Sequence, residues 1–245
     1  MQWRPSIIRT NCLAIESDIG VILIDTGPSI KSPQKTGTNK FYQNLKLKAN
    51  RPSPLSRRLA TLDIDTDSVK HIVLTHLDLA QTQAIEEFPN ATAHVFGSEY
   101  IAAMAPATQR EKNRYAHLKN LNSHPRWKVH QVQGSQWFGF DAIQIFEELG
   151  DHIQLIPLVG HTWGHCGVSI KKGQDNWIFH TGDAFFHQRE LRLANPNAPW
   201  RIKLARYLAT ADQDSFFFNQ ERIRKLIQDK PSQIELQCSR FDPKY

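Results

Sequence analysis

Ile72-Val73-Leu74-Thr75-His76-Leu77-Asp78 decides how this chain is read. A run of apolar and β-branched residues has the composition of a compact buried strand, His71 to Thr75, and it delivers His76 and Asp78 into the turn that follows. The same layout recurs three times. Asp25-Thr26-Gly27 closes the strand Gly20 to Asp25, and Gly160-His161-Thr162-Trp163-Gly164-His165 follows the strand Ile153 to Val159. His180-Thr181-Gly182-Asp183 ends the strand Trp177 to Thr181. Side chains at the ends of adjacent strands converge on one edge of a sheet, which is where open α/β folds build their sites. Gly27, Gly160, Gly164 and Gly182 let the backbone turn sharply and leave room for a ligand. Taken singly these segments say little: the chain has eleven histidines, and Asp25 and Asp183 read equally as turn residues bonding their own backbone. Together, and in this order, they point to one cluster.

Working outward, short β-rich runs alternate with helical patterns. Cys12 to Glu16 and Gly20 to Asp25 read as a hairpin, and Thr92 to Phe96, Lys128 to Val132, Cys166 to Lys171 and Gln233 to Cys238 as further strands. Helices are expected over Ser53 to Thr61, Gln81 to Phe88, Ser98 to Met104, Arg110 to Leu121 and Asp212 to Asp229, where Phe216, Ile223, Leu226 and Ile227 recur at helical spacing. This alternation predicts an α/β protein. Several strands follow one another without room for a crossover helix, so the sheet is mixed. No repeat or linker interrupts the chain, and residues 1–245 read as a single domain with a basic flexible insertion at about 30–60.

That insertion carries the charge. No acidic residue lies between Asp25 and Asp63, while Lys31, Lys35, Lys40, Lys46, Lys48, Arg51, Arg57 and Arg58 supply eight positive charges, more than the whole net charge of +6. It reads as a solvated loop or as a lid that draws an anionic ligand toward a nearby site. Nucleic acid is disfavoured, because no recognition motif accompanies the charge. With 40% hydrophobic and 22% charged residues the chain has the composition of a globular protein. No apolar run approaches the ~18 residues of a membrane span, so no membrane partner is expected. Three dispersed cysteines, Cys12, Cys166 and Cys238, encode neither a disulfide scaffold nor a zinc ribbon, and a cytoplasmic location is the default. Phosphate-loop, dinucleotide and serine-elbow motifs are absent.

The four segments resemble the motifs of the metallo-β-lactamase superfamily. Asp25-Thr26-Gly27 is similar to its first-hairpin DTG, Ile72 to His76 to its strand ending in Thr-His, Gly160 to His165 to its GHTxGH, and Thr181-Gly182-Asp183 to its xGD. Arg9-Thr10-Asn11-Cys12, Gly139-Phe140 and Asn219-Gln220-Glu221-Arg222 resemble a bacterial subgroup of lactonase-like hydrolases. The resemblance implies an αβ/βα sandwich of two mixed β-sheets flanked by helices, with metal at one edge, commonly two zinc ions sharing a hydroxide. It also implies that His76, Asp78, His161 and Asp183 hold the first metal and that His165 and Asp25 support it from behind.

The chain departs from that pattern at three positions. In the family motif H-x-[HD]-x-D-H, Ala80 stands for the aspartate and Gln81 for the histidine, and Arg240 stands at or beside the last histidine. These are the second-metal positions. Ala offers no donor, the Gln amide is a poor zinc ligand and a guanidinium repels a cation. Dinuclear catalysis is therefore not expected, and no residue is assigned a catalytic role. Two outcomes stay open: one zinc on the four remaining ligands, or a metal-free site in which Arg240 pairs with Asp183 or, with equal weight, points to solvent. The functions weighed are a catalytically impaired, ligand-binding member of the family and a mononuclear zinc hydrolase of a small ester or lactone. A nucleic-acid-processing relative ranks third. Phe185, Phe186 and Phe216 to Phe218 read as core or pocket lining, with room for a homodimer contact.

Overall fold

In the computed structural model, residues 7–8, 11–27, 48–49, 54–121 and 125–240 are described. The expected basic insertion lies mostly outside them. The first half of the chain builds one sheet. Strands β1 (Leu13–Ser17) and β2 (Gly20–Ile24) form a hairpin. They are followed by α1 (Leu55–Ala60), β3 (Val69–Val73), α2 (Leu79–Thr82), β4 (Thr92–Phe96), α3 (Gly97–Met104), α4 (Gln109–Tyr115) and β5 (Arg126–His130). The sheet order is β1-β2-β3-β4-β5, antiparallel at the hairpin and parallel thereafter. An isolated two-residue parallel ladder joins Ile7–Ile8 to Lys48–Ala49.

The second half supplies β6 (Ser135–Trp137), β7 (Phe140–Gln144), β8 (Ile153–Pro157), β9 (Cys166–Lys172), β10 (Asn176–His180), α5 (Trp200–Ala209), α6 (Gln213–Asp229) and β11 (Ile234–Gln237). These strands order as β11-β10-β9-β8-β7-β6. All neighbours are antiparallel except β10 and β11, which α6 connects in parallel. Both sheets are thus mixed, as the spacing of the strands demands.

Burial explains why β2 reads Gly-Val-Ile-Leu-Ile without alternation: a strand covered on both faces is apolar throughout. Ile22 and Ile24 join Val73 and Phe96 against Ile143, Leu155, Val168 and Ile170 of the other sheet. Val21 and Leu23 face the outer layer with Leu55, Leu59, Phe88 and Leu118. On the far side, Ile156, Leu158 and Phe179 pack against Ile223 and Leu226 of α6. The result is a four-layer αβ/βα sandwich. Among the described residues no helix is long and apolar enough to cross a membrane, and Cys12, Cys166 and Cys238 remain thiols.

Several details differ from the sequence reading: the strand expected at Lys128 to Val132 is Arg126–His130, the helix expected to Leu121 ends at Tyr115, and α5 was not expected. Strand β3 ends at Val73 rather than Thr75: the Leu74 amide still donates to His94 O of β4 at 3.0 Å, but Thr75 turns to the other sheet, its O accepting from the Cys166 amide at 2.8 Å. The expected helix over Gln81 to Phe88 is instead α2 followed by a 3-10 turn, Ile85–Glu87. The β6–β7 hairpin has no strong signal, since its turn puts Phe138 as well as Gly139 at positive φ (45° and 80°), and only the glycine announces such a turn.

Across β3, β4 and β5 runs a row of three histidines on the inter-sheet face. His71 Nδ1 lies 3.0 Å from His94 Nε2, and His94 Nδ1 lies 2.9 Å from His130 Nε2. Phe146 packs edge-on against His71 and tilted against His94. Burial, then the neighbouring His130, His71 and Lys128, push His94 down to about 3, and burial and Lys128 push His130 down to about 4.

Candidate metal centre

Every segment singled out in the sequence ends at the same edge of the sandwich. His76 and Asp78 follow β3, His161 and His165 lie between β8 and β9, Asp183 follows β10, Arg240 follows β11 and Asp25 follows β2. His76, His161 and Asp183 are fully buried and offer ligand atoms all within 4.8 Å of one another, a group that could hold a metal ion. Asp78 faces the same nitrogens, with Oδ2 3.6 Å from His76 Nε2 and 3.1 Å from His161 Nε2. Asp183 Oδ2 is 3.6 Å and 3.5 Å from the same two atoms.

The loops reach this geometry through close backbone contacts. At Gly160 (φ +136°) a Cβ would lie 2.4 Å from the Phe216 amide nitrogen, so only glycine lets the His161 turn lie against the start of α6. At Gly182 (φ +54°) a Cβ would lie 2.6 Å from His165 Nε2. That approach lets the Asp183 amide donate to His165 Nε2 at 2.9 Å, while His165 Nδ1 donates to Leu158 O at 2.9 Å. Both ring nitrogens of His165 are thereby used by backbone, and it positions the Asp183 loop.

Asp25 works through Thr75. Its backbone is left-handed (φ 56°), its Oδ1 accepts from the Thr75 amide at 2.9 Å, and the Thr75 hydroxyl donates to its Oδ2 at 2.8 Å. Thr75 Oγ1 is also 2.9 Å from His76 Nδ1. A hydroxyl has one proton; having given it to Asp25, Thr75 accepts from His76 Nδ1–H. With Nδ1 bonded to Thr75, Nε2 is the ring atom that faces the cluster and its two carboxylates, the orientation a metal-binding histidine needs once its Nε2 proton is displaced. Burial raises the Asp25 carboxyl to about 7.

Two arginines complete the arrangement. Arg240 is hydrogen-bonded to Asp183 Oδ2. The last loop is pinned for this purpose: the Ser239 amide donates to Gly182 O at 3.0 Å, and Asn11 donates through its amide to Ser239 O and through its side chain to Cys238 O, both at 2.8 Å. Arg114, on α4, was not singled out by the sequence reading. Its Nε is 2.8 Å from Asp78 Oδ1, and its other nitrogens donate to His161 O at 3.0 Å and to Ala209 O. The only sequence signal was the expected helix itself, which puts Arg110 and Arg114 one turn apart without saying what they face.

Glu99 was also missed. This fully buried residue of α3 accepts from the Leu77 amide at 2.9 Å, between His76 and Asp78, and from the Gly164 amide at 3.1 Å, between His161 and His165. It ties the two ligand-bearing loops together.

The electrostatics follow. Burial alone would raise Asp183, but Arg240 and then His76 outweigh it and hold the carboxyl far below the ordinary range. Asp78 is held well down against burial, with Arg114 as the leading cause. Burial would lower His76, yet Asp183 and Asp78 raise it to about 10, whereas burial lowers His161 to about 4.

A sequence profile of the metallo-beta-lactamase superfamily matches residues 7–231. The chain belongs to this superfamily. A probable metallo-hydrolase of Mycobacterium bovis is 29% identical over 232 residues, covering 94% of this chain and 74% of that protein. Among solved structures, a probable metal-dependent hydrolase from Staphylococcus aureus matches with TM-score 0.66 at 16% identity, covering 93% of this chain and 72% of its own. A dizinc quorum-quenching lactonase, solved with the product N-hexanoyl-L-homoserine, matches with TM-score 0.64 at 15% identity, covering 95% and 72%. These two structural likenesses speak for the fold.

Metallo-beta-lactamase-fold proteins typically bind metal, so the fit of this donor set matters. Zinc bonds of about 2.0–2.2 Å arranged tetrahedrally put ligand atoms roughly 3.3–3.6 Å apart. Four of the six edges here measure 3.1–3.6 Å. His76 Nε2 is buried, and its neighbours, the Asp78 and Asp183 carboxylate oxygens, lie at 3.6 Å, just beyond hydrogen-bond reach. One ion fits. At the remaining positions Ala80 has no donor, and the Gln81 side-chain amide is buried with neither atom hydrogen-bonded.

Proposed function

We propose that this metallo-hydrolase-fold protein is impaired in dinuclear hydrolysis and binds a small anionic or carbonyl-bearing ligand at a charge-compensated site. The observation that supports this reading is that each cluster carboxylate carries its own arginine, Asp183 with Arg240 and Asp78 with Arg114. Two guanidinium groups, together with the His76 ring that the same carboxylates keep protonated, offset the two carboxylates without a metal ion, and buried carboxylates so paired have no need of one. Ala80, Gln81 and Arg240 leave no donor set for a second ion. His76, His161 and Asp183, with Asp78, would hold a single ion, of which zinc is the best match to two imidazoles and two carboxylates. When bound, such an ion supplies Lewis acidity and lowers the pKa of a bound water. The protein's own groups do the rest: Thr75 and His165 fix the histidine and aspartate orientations, and the arginine forks are suited to orient a carboxylate or carbonyl oxygen.

A second reading, a mononuclear zinc hydrolase of a small ester or lactone, is favoured by the convergence of ligand atoms of His76, His161 and Asp183 within 4.8 Å of one another. Elemental analysis of freshly purified protein, with and without added zinc, separates the two. The first reading expects no tightly held ion and no turnover of chromogenic esters or lactones. One equivalent of zinc, with hydrolysis abolished in His161→Ala, would establish the second. Two equivalents in the unaltered protein would overturn both. The triple variant Ala80→Asp, Gln81→His, Arg240→His is expected to take up a second equivalent.

A further inference from the structure

Helix α6 turns Phe216, Asn219, Gln220 and Ile223 inward, at the i, i+3, i+4, i+7 spacing of a core-facing stripe. All four are buried, yet the middle two are amides, and they open the Asn-Gln-Glu-Arg segment that stands out in the sequence. A buried amide costs free energy unless it is hydrogen-bonded, so a helix held by packing alone would carry aliphatic side chains there. Each amide instead meets the chain beside a cluster residue. Asn219 Nδ2 donates to Val159 O at 2.8 Å, two residues before His161, and Gln220 Nε2 donates to Ala184 O at 2.7 Å, next to Asp183. The rest of the helix reinforces both grips. At its start the Ala211 and Asp212 amides each donate to Gly160 O at 2.9 Å. One turn beyond Gln220, Arg224 donates to Glu190 O at 2.9 Å, and the Glu190 carboxylate accepts from the Phe186 and His187 amides at 2.7 and 3.0 Å. Arg222 steadies Asn219: one nitrogen donates to Asn219 Oδ1 at 3.2 Å, another to Gly139 O at 3.0 Å, and its guanidinium lies 3.9 Å from the centre of the Phe140 ring.

We propose that Asn219 and Gln220 are positioning residues of the candidate metal centre, two adjacent amides that set the separation of His161 and Asp183 from behind. The proposal rests on the reading that His76, Asp78, His161 and Asp183 form the ligand-holding cluster. His161 follows β8 and Asp183 follows β10, with β9 between them in the sheet, so no single strand fixes their spacing. Consecutive residues of one helix stand about 3.8 Å apart at Cα, and bonds from two of them tie both loops to one rigid element. A donor set works only when held to within about 0.5 Å of its productive geometry, and the groups behind the ligands are what hold it. The residue type fits as well. A neutral amide donates to a carbonyl without adding charge beside carboxylates that already have arginine partners.

Crystal structures and cobalt(II) titrations of the full chain test it, in the wild type and in the double variant Asn219→Leu, Gln220→Met, which puts apolar side chains of similar shape into the stripe. Ile223→Val, on the same stripe but away from both carbonyls, controls for packing alone. In crystals grown without metal, the His161 Nε2 to Asp183 Oδ2 separation of 3.5 Å is expected to widen by more than about 0.5 Å in the double variant and to stay within that margin in Ile223→Val. Cobalt affinity, read by calorimetry and by the ion's visible absorption band, is expected to fall at least about tenfold in the double variant. It should be unchanged in Ile223→Val, although both variants lower the urea midpoint. If the double variant does not fold, the single variants answer the same question, Asn219→Leu through His161 and Gln220→Met through Asp183. An unchanged separation together with unchanged affinity overturns the proposal. So does an equal loss in Ile223→Val, which would make the packing of α6 the cause. A wild type that takes up no cobalt at about 1 mM overturns the single-ion reading alone, and the separation in the metal-free crystals then decides this proposal.

Discussion

The two halves of the cluster are built on the same sheet edge and differ in how their polar atoms are satisfied. The half formed by His76, Asp78, His161 and Asp183 is supported on every side, by Thr75, His165, Arg114 and Arg240. The half formed by Ala80 and Gln81 has a methyl group and a buried amide with no hydrogen-bond partner among the described residues. The carboxylates of the first half are held by arginine counter-charges, whatever occupies the neighbouring positions. Uncompensated buried carboxylates would destabilise the fold; arginine-paired ones do not.

The sharpest way to break this comparison is to remove a supported charge. Asp183→Asn leaves Arg240 buried against a neutral amide and is expected to lower unfolding free energy by about 3–5 kcal/mol, read from urea denaturation; a loss below about 1 kcal/mol would mean that the pair is not integral to the fold. Arg114→Ala removes a charge-assisted bond to Asp78 together with two carbonyl bonds. It is expected to cost about 1.5–3 kcal/mol and, by releasing Asp78, to raise zinc affinity in calorimetric titration. Unchanged or weaker zinc binding would show that Arg114 does not compete with the ion.

The histidine row on β3, β4 and β5 sharpens the comparison from outside the site. His94 and His130 are depressed in the folded state to about 3 and about 4, against an ordinary value of about 6.5 when unfolded. As pH falls below about 6.5 the unfolded chain takes up protons that the folded chain refuses. Stability is therefore full at neutral pH and is lost progressively as pH falls from about 6.5 toward 3. The denaturation midpoint of His94→Leu should fall less steeply over that window than that of the wild type; parallel profiles would remove the row from the account. The smallest effect belongs to the half formed by Ala80 and Gln81: Gln81→Met exchanges an amide without a hydrogen-bond partner among the described residues for a chain of similar volume and should leave stability within about 1 kcal/mol or raise it. A large loss would reveal that the amide has a partner.

The fold was largely legible in the chain because its determinants are local. Short apolar runs, Val21 to Ile24 before Asp25 and Ile72 to Leu74 before Thr75-His76, specify buried strands with site loops at one end. The β6–β7 hairpin and α5 were not legible. Phe138 adopts a left-handed turn that its type does not advertise, and α5 carries a core-like pattern whose orientation depends on what already fills the layer beneath it.

The same division holds at the site. Sequence alone determined which donors exist and which are missing, since an alanine or an arginine has its chemistry wherever it is placed. Only the tertiary structure decided which charges meet. Arg114 and Glu99 reach the cluster from helices α4 and α3, and Arg240 reaches Asp183 across 57 residues of chain. Pairing between distant segments depends on the packing of layers, and no spacing rule along one chain encodes the separation of two side chains that converge from opposite sheets.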